Sequence, residues 1–242
     1  MVLVIFVERV GIIFAMEEEL LALKAYLLLE KEYNIFNLTF YEGKINGIDC
    51  VLVKSGVGKV NAARTTQILI DNIKVDYIFN IGVAGGIDSS LKVGDIVLGK
   101  SLVQHDFDIT AFNHNKGYIP GVGESINADE YLLSVSRNVL EKENVNYKVG
   151  VIASGDIFCT ETWMSEKINK KFNALCVEME GASIAQVCFL SHIPFLIIRS
   201  ISDVPNNDNV VTYKEFLDSS CKVVADSTSK ILKVLGCDGL ND

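Results

Sequence analysis

The sequence predicts a single α/β domain, built as a three-layer sandwich with a mixed, mostly parallel twisted sheet between helices. Three observations lead there. Largely apolar runs such as 76–81 and 195–200, interrupted only by Asp76, Asn80, Arg199 and Ser200, alternate with amphipathic segments along most of the chain. Runs without polar alternation belong to strands covered on both faces, the habit of parallel sheets. The strands expected at 36–41 and 48–53 flank Asn46-Gly47, a hairpin signal that adds antiparallel character. With 242 residues, 49% of them hydrophobic, and only three prolines, the chain reads as one domain spanning 1–242.

The elements follow in order. A strand is expected at 10–14, and the apolar patch Met1 to Val7 reads as its extension, since it is too short for a signal core or a membrane span. Residues 17–30 carry helical periodicity through Leu20, Leu21, Leu23, Tyr26 and Leu27. The hairpin strands come next, with Gly43 and Asn46-Gly47 marking the turn between them. A helix opens at Gly56-Val57-Gly58-Lys59 and runs to about residue 73. The strand 76–81 leads into a Gly82-Val83-Ala84-Gly85-Gly86 loop. A strand at 94–103, a long polar and aromatic loop at 105–123, a helix at 128–143 and a strand at 148–153 follow. A short helix at 162–172, a strand through Val177 with a helix to about 191, a strand at 195–200 and a last helix at 213–235 complete the chain.

Composition narrows function by exclusion. The net charge is -9, and arginine occurs only at Arg9, Arg64, Arg137 and Arg199, which disfavours nucleic acid and anionic membranes as partners. Six cysteines show neither a C-x-x-C pair nor metal-ligand spacing, as in a reduced cytoplasmic protein. His105, His114 and His192 are scattered, so no metal is expected. Gly56 to Lys59 is not a P-loop, and Gly82 to Gly86 lacks the G-x-G-x-x-G spacing, so no nucleotide cofactor is expected. Each glycine stretch is either a tight turn or a place where a flat ligand approaches the backbone.

The most informative stretch is Cys176-Val177-Glu178-Met179-Glu180-Gly181-Ala182. An apolar run leads into two carboxylates two apart, and a helical pattern begins at once. Two readings stay open. The acids cap the next helix, whose first turn favours negative charge, or they form one edge of a site.

In parallel α/β sheets ligands bind beyond the carboxyl ends of the strands. The residues following each apolar run are Met16 to Glu19, Gly56 to Lys59, Gly82 to Gly86, Ser154 to Phe158, Met179-Glu180 and Ser202-Asp203, and one strand brings Arg199. The result is an acid-rich, partly apolar cup. Carboxylates without a metal or an activated serine suit acid–base chemistry through a cationic transition state, with glycosidic cleavage the leading case. A carboxyl buried beside apolar groups retains its proton toward neutrality.

Four motifs together, Ala15-Met16-Glu17-Glu18-Glu19, Lys54-Ser55-Gly56-Val57-Gly58-Lys59, Val177-Glu178-Met179-Glu180 and Arg199-Ser200-Ile201-Ser202-Asp203, resemble the 5'-methylthioadenosine/S-adenosylhomocysteine nucleosidases of the nucleoside phosphorylase superfamily. The resemblance runs from about Val10 to the last helix and implies a nucleoside phosphorylase-like fold. It further implies a hydrolase that releases adenine from methylthioadenosine, S-adenosylhomocysteine and 5'-deoxyadenosine. By that resemblance Asp203, assisted by Ser202, protonates the leaving adenine. Glu19 activates the attacking water and Arg199 supports it. Glu180 takes the ribose hydroxyls and Met179 packs on the sugar; Glu178, in the same motif, has the weaker claim to the site and is read as shaping the turn. Phe158 stacks on the base, near Cys159 and the Ala84-Gly85 turn. Met16, Val57, Ile109, Phe112, Pro120 and Tyr213 match the apolar pocket for the 5'-alkylthio group. Ile109, Phe112 and Pro120 come from a partner subunit, which implies a homodimer. The chain departs from the family at Val83, where a small hydroxyl residue is usual, at Cys159, where an aliphatic one is, and at Tyr213, where Phe is common.

Two rivals differ in class. A phosphorylase needs cationic donors for phosphate, whereas this chain places Glu17-Glu18-Glu19 in the first loop. A non-catalytic adenosine-binding protein on the same fold has no need of Glu19 and Asp203, and both are present.

Overall fold

The computed structural model describes residues 9–204 and 209–237. The apolar segment 1–8, expected to extend the first strand, lies outside the described residues.

The chain runs β1 (Arg9–Phe14), α1 (Glu17–Lys24), β2 (Leu28–Ile35), β3 (Leu38–Ile45), β4 (Ile48–Lys54), α2 (Lys59–Ile68), β5 (Tyr77–Gly86) and β6 (Ile96–Gln104). It continues through β7 (Ile126–Asn127), α3 (Glu130–Lys142), β8 (Tyr147–Ser154), α4 (Thr162–Phe172), β9 (Ala174–Glu178), α5 (Gly181–Ser191), β10 (Phe195–Asp203) and α6 (Asn209–Cys237). This is a single-domain α/β fold in which helices flank a ten-stranded mixed sheet of order β10-β6-β8-β9-β5-β1-β4-β3-β2, with β7 paired to β6.

Parallel pairings β4–β1–β5–β10 and β6–β8–β9 make up the interior of the sheet. The hairpins β2–β3–β4 form one antiparallel edge. Because β10 pairs with β5 as well as β6, and β9 pairs with β5, the strands β10-β6-β8-β9-β5 close into a ring. Closure leaves no free edge there. It also gathers the carboxyl ends of β5, β8, β9 and β10 around one opening.

Burial follows the apolar runs. Ile12, Ile13 and Phe14 of β1, Ile78 and Phe79 of β5, and Leu196, Ile197 and Ile198 of β10 are fully enclosed. Each Å² of apolar surface buried in these strands contributes about 25 cal/mol to the drive for collapse.

Three local expectations are corrected. The helix expected over 17–30 stops at Lys24, and Leu28–Ile35 is an edge strand. That strand pairs only with β3 and is exposed along most of its length, so no burial pattern marks it in the sequence. Gly43 is not in the turn but inside β3, where an added Cβ would lie 2.2 Å from the Leu28 carbonyl oxygen. The turn itself is Asn46-Gly47, both with positive φ, as a tight hairpin requires. Finally, Gly82 to Gly86 is no loop: β5 continues straight through it, paired to β10 and then β9.

Candidate active site

Apolar strands end, and their chains turn outward, around a cavity of about 230 Å³. From β1 and α1 come Met16 and Glu19; from the turn before α2, Val57; from β5, Ala84 and Gly85. Phe158 and Cys159 follow β8, Met179 and Glu180 follow β9, Ser202 and Asp203 end β10, and Tyr213 descends from α6. All of these were expected from the sequence. Ala15, Val83, Ile157, Val177 and Glu178 complete the lining.

Glu19 is the third residue of α1, so its side chain reaches back over the helix start. Its Oε2 accepts the N–H groups of Ala15 and Met16 at 2.9 and 3.0 Å, and its Oε1 accepts that of Val83 at 3.0 Å. Burial pushes its carboxyl above the usual range, while the charge of Arg199 and the three amides oppose that rise. The close approach to β5 depends on Gly82, where a Cβ would meet Glu19 Oε1 at 2.3 Å.

Asp203 sits past a register shift between Ile201 and Asp203 in the β10–β5 ladder. Its Oδ1 accepts the Ser202 hydroxyl at 2.8 Å. Burial raises its carboxyl and the Ser202 bond partly offsets this. The Phe158 and Tyr213 rings meet edge to face at 5.7 Å, and the Tyr213 hydroxyl donates to Met16 Sδ at 3.1 Å.

The two acids of the Val177 to Gly181 stretch separate. Glu180 accepts the Gly58 N–H at 2.8 Å through Oε1 and turns the rest of its carboxylate to the cavity. Its carboxyl is raised, first by burial and then by the nearby Glu178 charge. Glu178 instead accepts the N–H groups of Glu180 and Gly181 at 3.2 and 2.7 Å and pairs with Arg199. Helix capping therefore describes Glu178, and the site-edge reading describes Glu180. The expectation that Glu178 merely shapes a turn understates it, because it is the ion-pair partner of a fully buried arginine.

Arg199 does not line the cavity. Its Nη2 donates to Glu178 and to the Asn80 side chain, and its Nη1 to the carbonyls of Asn80 and Ile198. Among the described residues no hydrogen bond joins it to Glu19, so its influence there is through charge. Asn80, fixed by its own bond to the Ile13 carbonyl at 2.9 Å, escaped the sequence reading as a support for Arg199. A lone amide at the end of an apolar run was the available signal.

Ile109, Phe112 and Pro120 do not line this cavity, and Phe112 is 75% exposed. Val83 contributes its backbone N–H to Glu19, so the missing hydroxyl does not remove that contact. No three His, Cys, Asp or Glu side chains among the described residues are disposed to hold a metal ion. No described helix is long and apolar enough to cross a membrane.

A ring of strand ends presenting Glu19, Glu180 and Asp203 to one cavity defines a class, and a family model for the phosphorylase superfamily matches residues 9–235. Within that superfamily the chain belongs to the 5'-methylthioadenosine/S-adenosylhomocysteine nucleosidases. The protein so named from Geobacillus sp. (strain WCH70) is 41% identical over 229 residues, covering 94% of this chain and 99% of the relative. A structure described as S-adenosylhomocysteine nucleosidase from Streptococcus pyogenes in complex with 5-methylthiotubericidin matches with a TM-score of 0.90 at 37% identity, covering 94% and 97% of the two chains. Futalosine hydrolase of Helicobacter pylori strain 26695 matches with a TM-score of 0.91 at 32% identity, covering 94% and 98%.

Proposed function

We propose that this chain hydrolyses the N-glycosidic bond of 5'-methylthioadenosine and S-adenosylhomocysteine, and also of 5'-deoxyadenosine, releasing adenine and the 5-substituted ribose. One observation carries the choice of water over phosphate. Among the described residues the cavity is lined by Glu19, Glu178, Glu180 and Asp203 and by no lysine, arginine or histidine. A phosphate dianion placed there would face like charge with no cationic side chain in the lining and only the enclosed Arg199 to oppose it, whereas neutral water would not.

In this reading Asp203, its carboxyl raised by burial, holds the proton it passes to the departing adenine. As the bond to adenine stretches, positive charge grows on the ribosyl ring, and Glu180 stabilises it while accepting the ribose hydroxyls. Met179 packs on the sugar and Phe158 on the base, with Cys159, Ala84 and Gly85 beside it. Glu19 takes a proton from the water as its oxygen bonds to the anomeric carbon. Burial raises the proton affinity of Glu19, which suits a group that takes a proton from water, while the Arg199 charge opposes that rise. Met16, Val57 and Tyr213 line the recess for the 5' substituent.

The homodimer belongs to the same proposal. Ile109, Phe112 and Pro120 lie off their own cavity, and Phe112 is exposed, as a side chain that completes a partner's pocket would be. Cytoplasmic residence is part of the same proposal, supported by the burial of the five described cysteines among core residues.

The deciding assay follows adenine release from the three nucleosides with and without phosphate. The expected result is phosphate-independent release with free 5-substituted ribose as co-product. Release that requires phosphate and yields ribose-1-phosphate refutes it.

A further inference from the structure

We propose that Glu178 is a positioning residue for glycosidic cleavage, holding Arg199 away from the ribose carboxylate while it orders the corner that presents Met179 and Glu180. This deepens the nucleosidase reading and rests on it. Glu178 joins four elements: it ends β9, its Oε2 accepts the Glu180 and Gly181 amides at the start of α5, and the same oxygen pairs with Arg199 of β10. Its Oε1 accepts the hydroxyl of Ser154 from β8. The Ser154 oxygen in turn accepts the Ala182 N–H at 2.7 Å. Three successive amides, of residues 180, 181 and 182, are thus held by one carboxylate and its serine. The approach is tight, since a Cβ on Gly181 would meet both Glu178 oxygens at 3.2 Å.

Charge gives the second half of the argument. Arg199 is fully enclosed, Glu178 is the carboxylate hydrogen-bonded to it, and the charges of Glu180 and Glu19 also act on it. A buried guanidinium without a partner is costly, so removal of the nearest carboxylate draws it toward the next. The next is the ribose clamp. Glu178 therefore leaves Glu180 free to accept ribose hydroxyls and Glu19 free to meet water.

The test is Glu178→Gln, which keeps the shape and deletes the charge, with Ser154→Ala as a milder companion. Steady-state constants are measured for methylthioadenosine and for its 2'-deoxy analogue. A purely structural role lowers stability and active fraction but leaves the KM of the folded enzyme and its preference for the 2'-hydroxyl unchanged. Positioning predicts that Glu178→Gln raises KM for methylthioadenosine about ten- to a hundredfold and shrinks the ribose preference, with Ser154→Ala shifting both the same way but less. Restoration of KM by Glu178→Asp supports the same conclusion. Unchanged KM and unchanged ribose preference overturn it; if Glu178→Gln does not fold, the same two readings on Ser154→Ala decide. Native enzyme that releases no adenine would sink the nucleosidase reading instead, and calorimetric binding of adenosine to the native and Ser154→Ala proteins then tests the positioning by itself.

Discussion

Gly82→Ala places one methyl group against Glu19, the proposed water-activating base. The new Cβ would lie 2.3 Å from Glu19 Oε1 and 2.9 Å from its carboxyl carbon. Relief requires a movement of about 1 Å, because carbon–oxygen contacts below van der Waals distance are strongly repulsive. Glu19 cannot give freely, being held by Ala15, Met16 and Val83 amides at 2.9, 3.0 and 3.0 Å. The Val83 bond is nearest the intruding methyl, and losing one hydrogen bond to a buried charged group costs about 1.5–3 kcal/mol. For a chain of this size that lowers Tm by roughly 3–12 °C. A displacement of about 1 Å in a reacting group costs on the order of a hundredfold in rate, or about 2.7 kcal/mol. The assay is adenine release under single-turnover conditions, with calorimetric Tm and circular dichroism on the same preparation. A folded Gly82→Ala enzyme with kcat/KM within threefold of the native value would refute the placement of Glu19 as water-activating base.

Four further outcomes are expected. Asp203→Asn should lower kcat by about 10²–10⁴ while methylthioadenosine still binds, and unchanged turnover excludes Asp203 as the acid. The same variant should flatten the stability profile: the raised carboxyl of Asp203 favours the folded state below its unfolded value of about 3.9, and that contribution is lost as pH rises through its folded value. Parallel Tm–pH curves for the native and variant proteins would contradict this. Gly58→Ala imposes a side chain on a residue with φ of 100° and puts a Cβ 3.2 Å from Asp156 Oδ1, so it should cost about 1–3 kcal/mol of stability and raise KM through the Gly58–Glu180 bond. A KM equal to native in that variant would separate the turn from the ribose clamp. Phe112→Ala should raise KM for methylthioadenosine about tenfold or more without lowering the protomer's Tm, as loss of a buried phenyl in another subunit's pocket requires. Equal KM in the variant, with sedimentation unchanged, removes Phe112 from the site.

Much of this molecule was legible because its signals are local. An apolar run followed at once by an acid is written in adjacent residues, and Glu19, Glu180 and Asp203 all end such runs or open the helix after them. The same adjacency found Met16, Val57, Phe158 and Ser202. The edge strand Leu28–Ile35 went unread, its first three residues being taken into the helix expected over 17–30, for the complementary reason. It contacts one neighbour and buries almost nothing, so its side chains carry no period-2 pattern. The glycines of 82–86 suggested a loop because small residues usually mark turns, yet here they let a carboxylate and two neighbouring strands approach the backbone.

The division between the two levels is sharpest at Glu178 and Glu180. By itself the chain determined that two carboxylates leave a buried strand together and that one α/β sheet gathers such strand ends. Those residues alone left open which acid turns to the helix start and which to the cavity, and only the family resemblance assigned Glu180 to the ribose. That choice belongs to Ser154 and Arg199, residues 24 and 21 positions away in sequence, whose bonds claim Glu178. Pairing of a buried charge is decided by which donors the closed ring of strands brings within reach, and only the tertiary structure sets that distance.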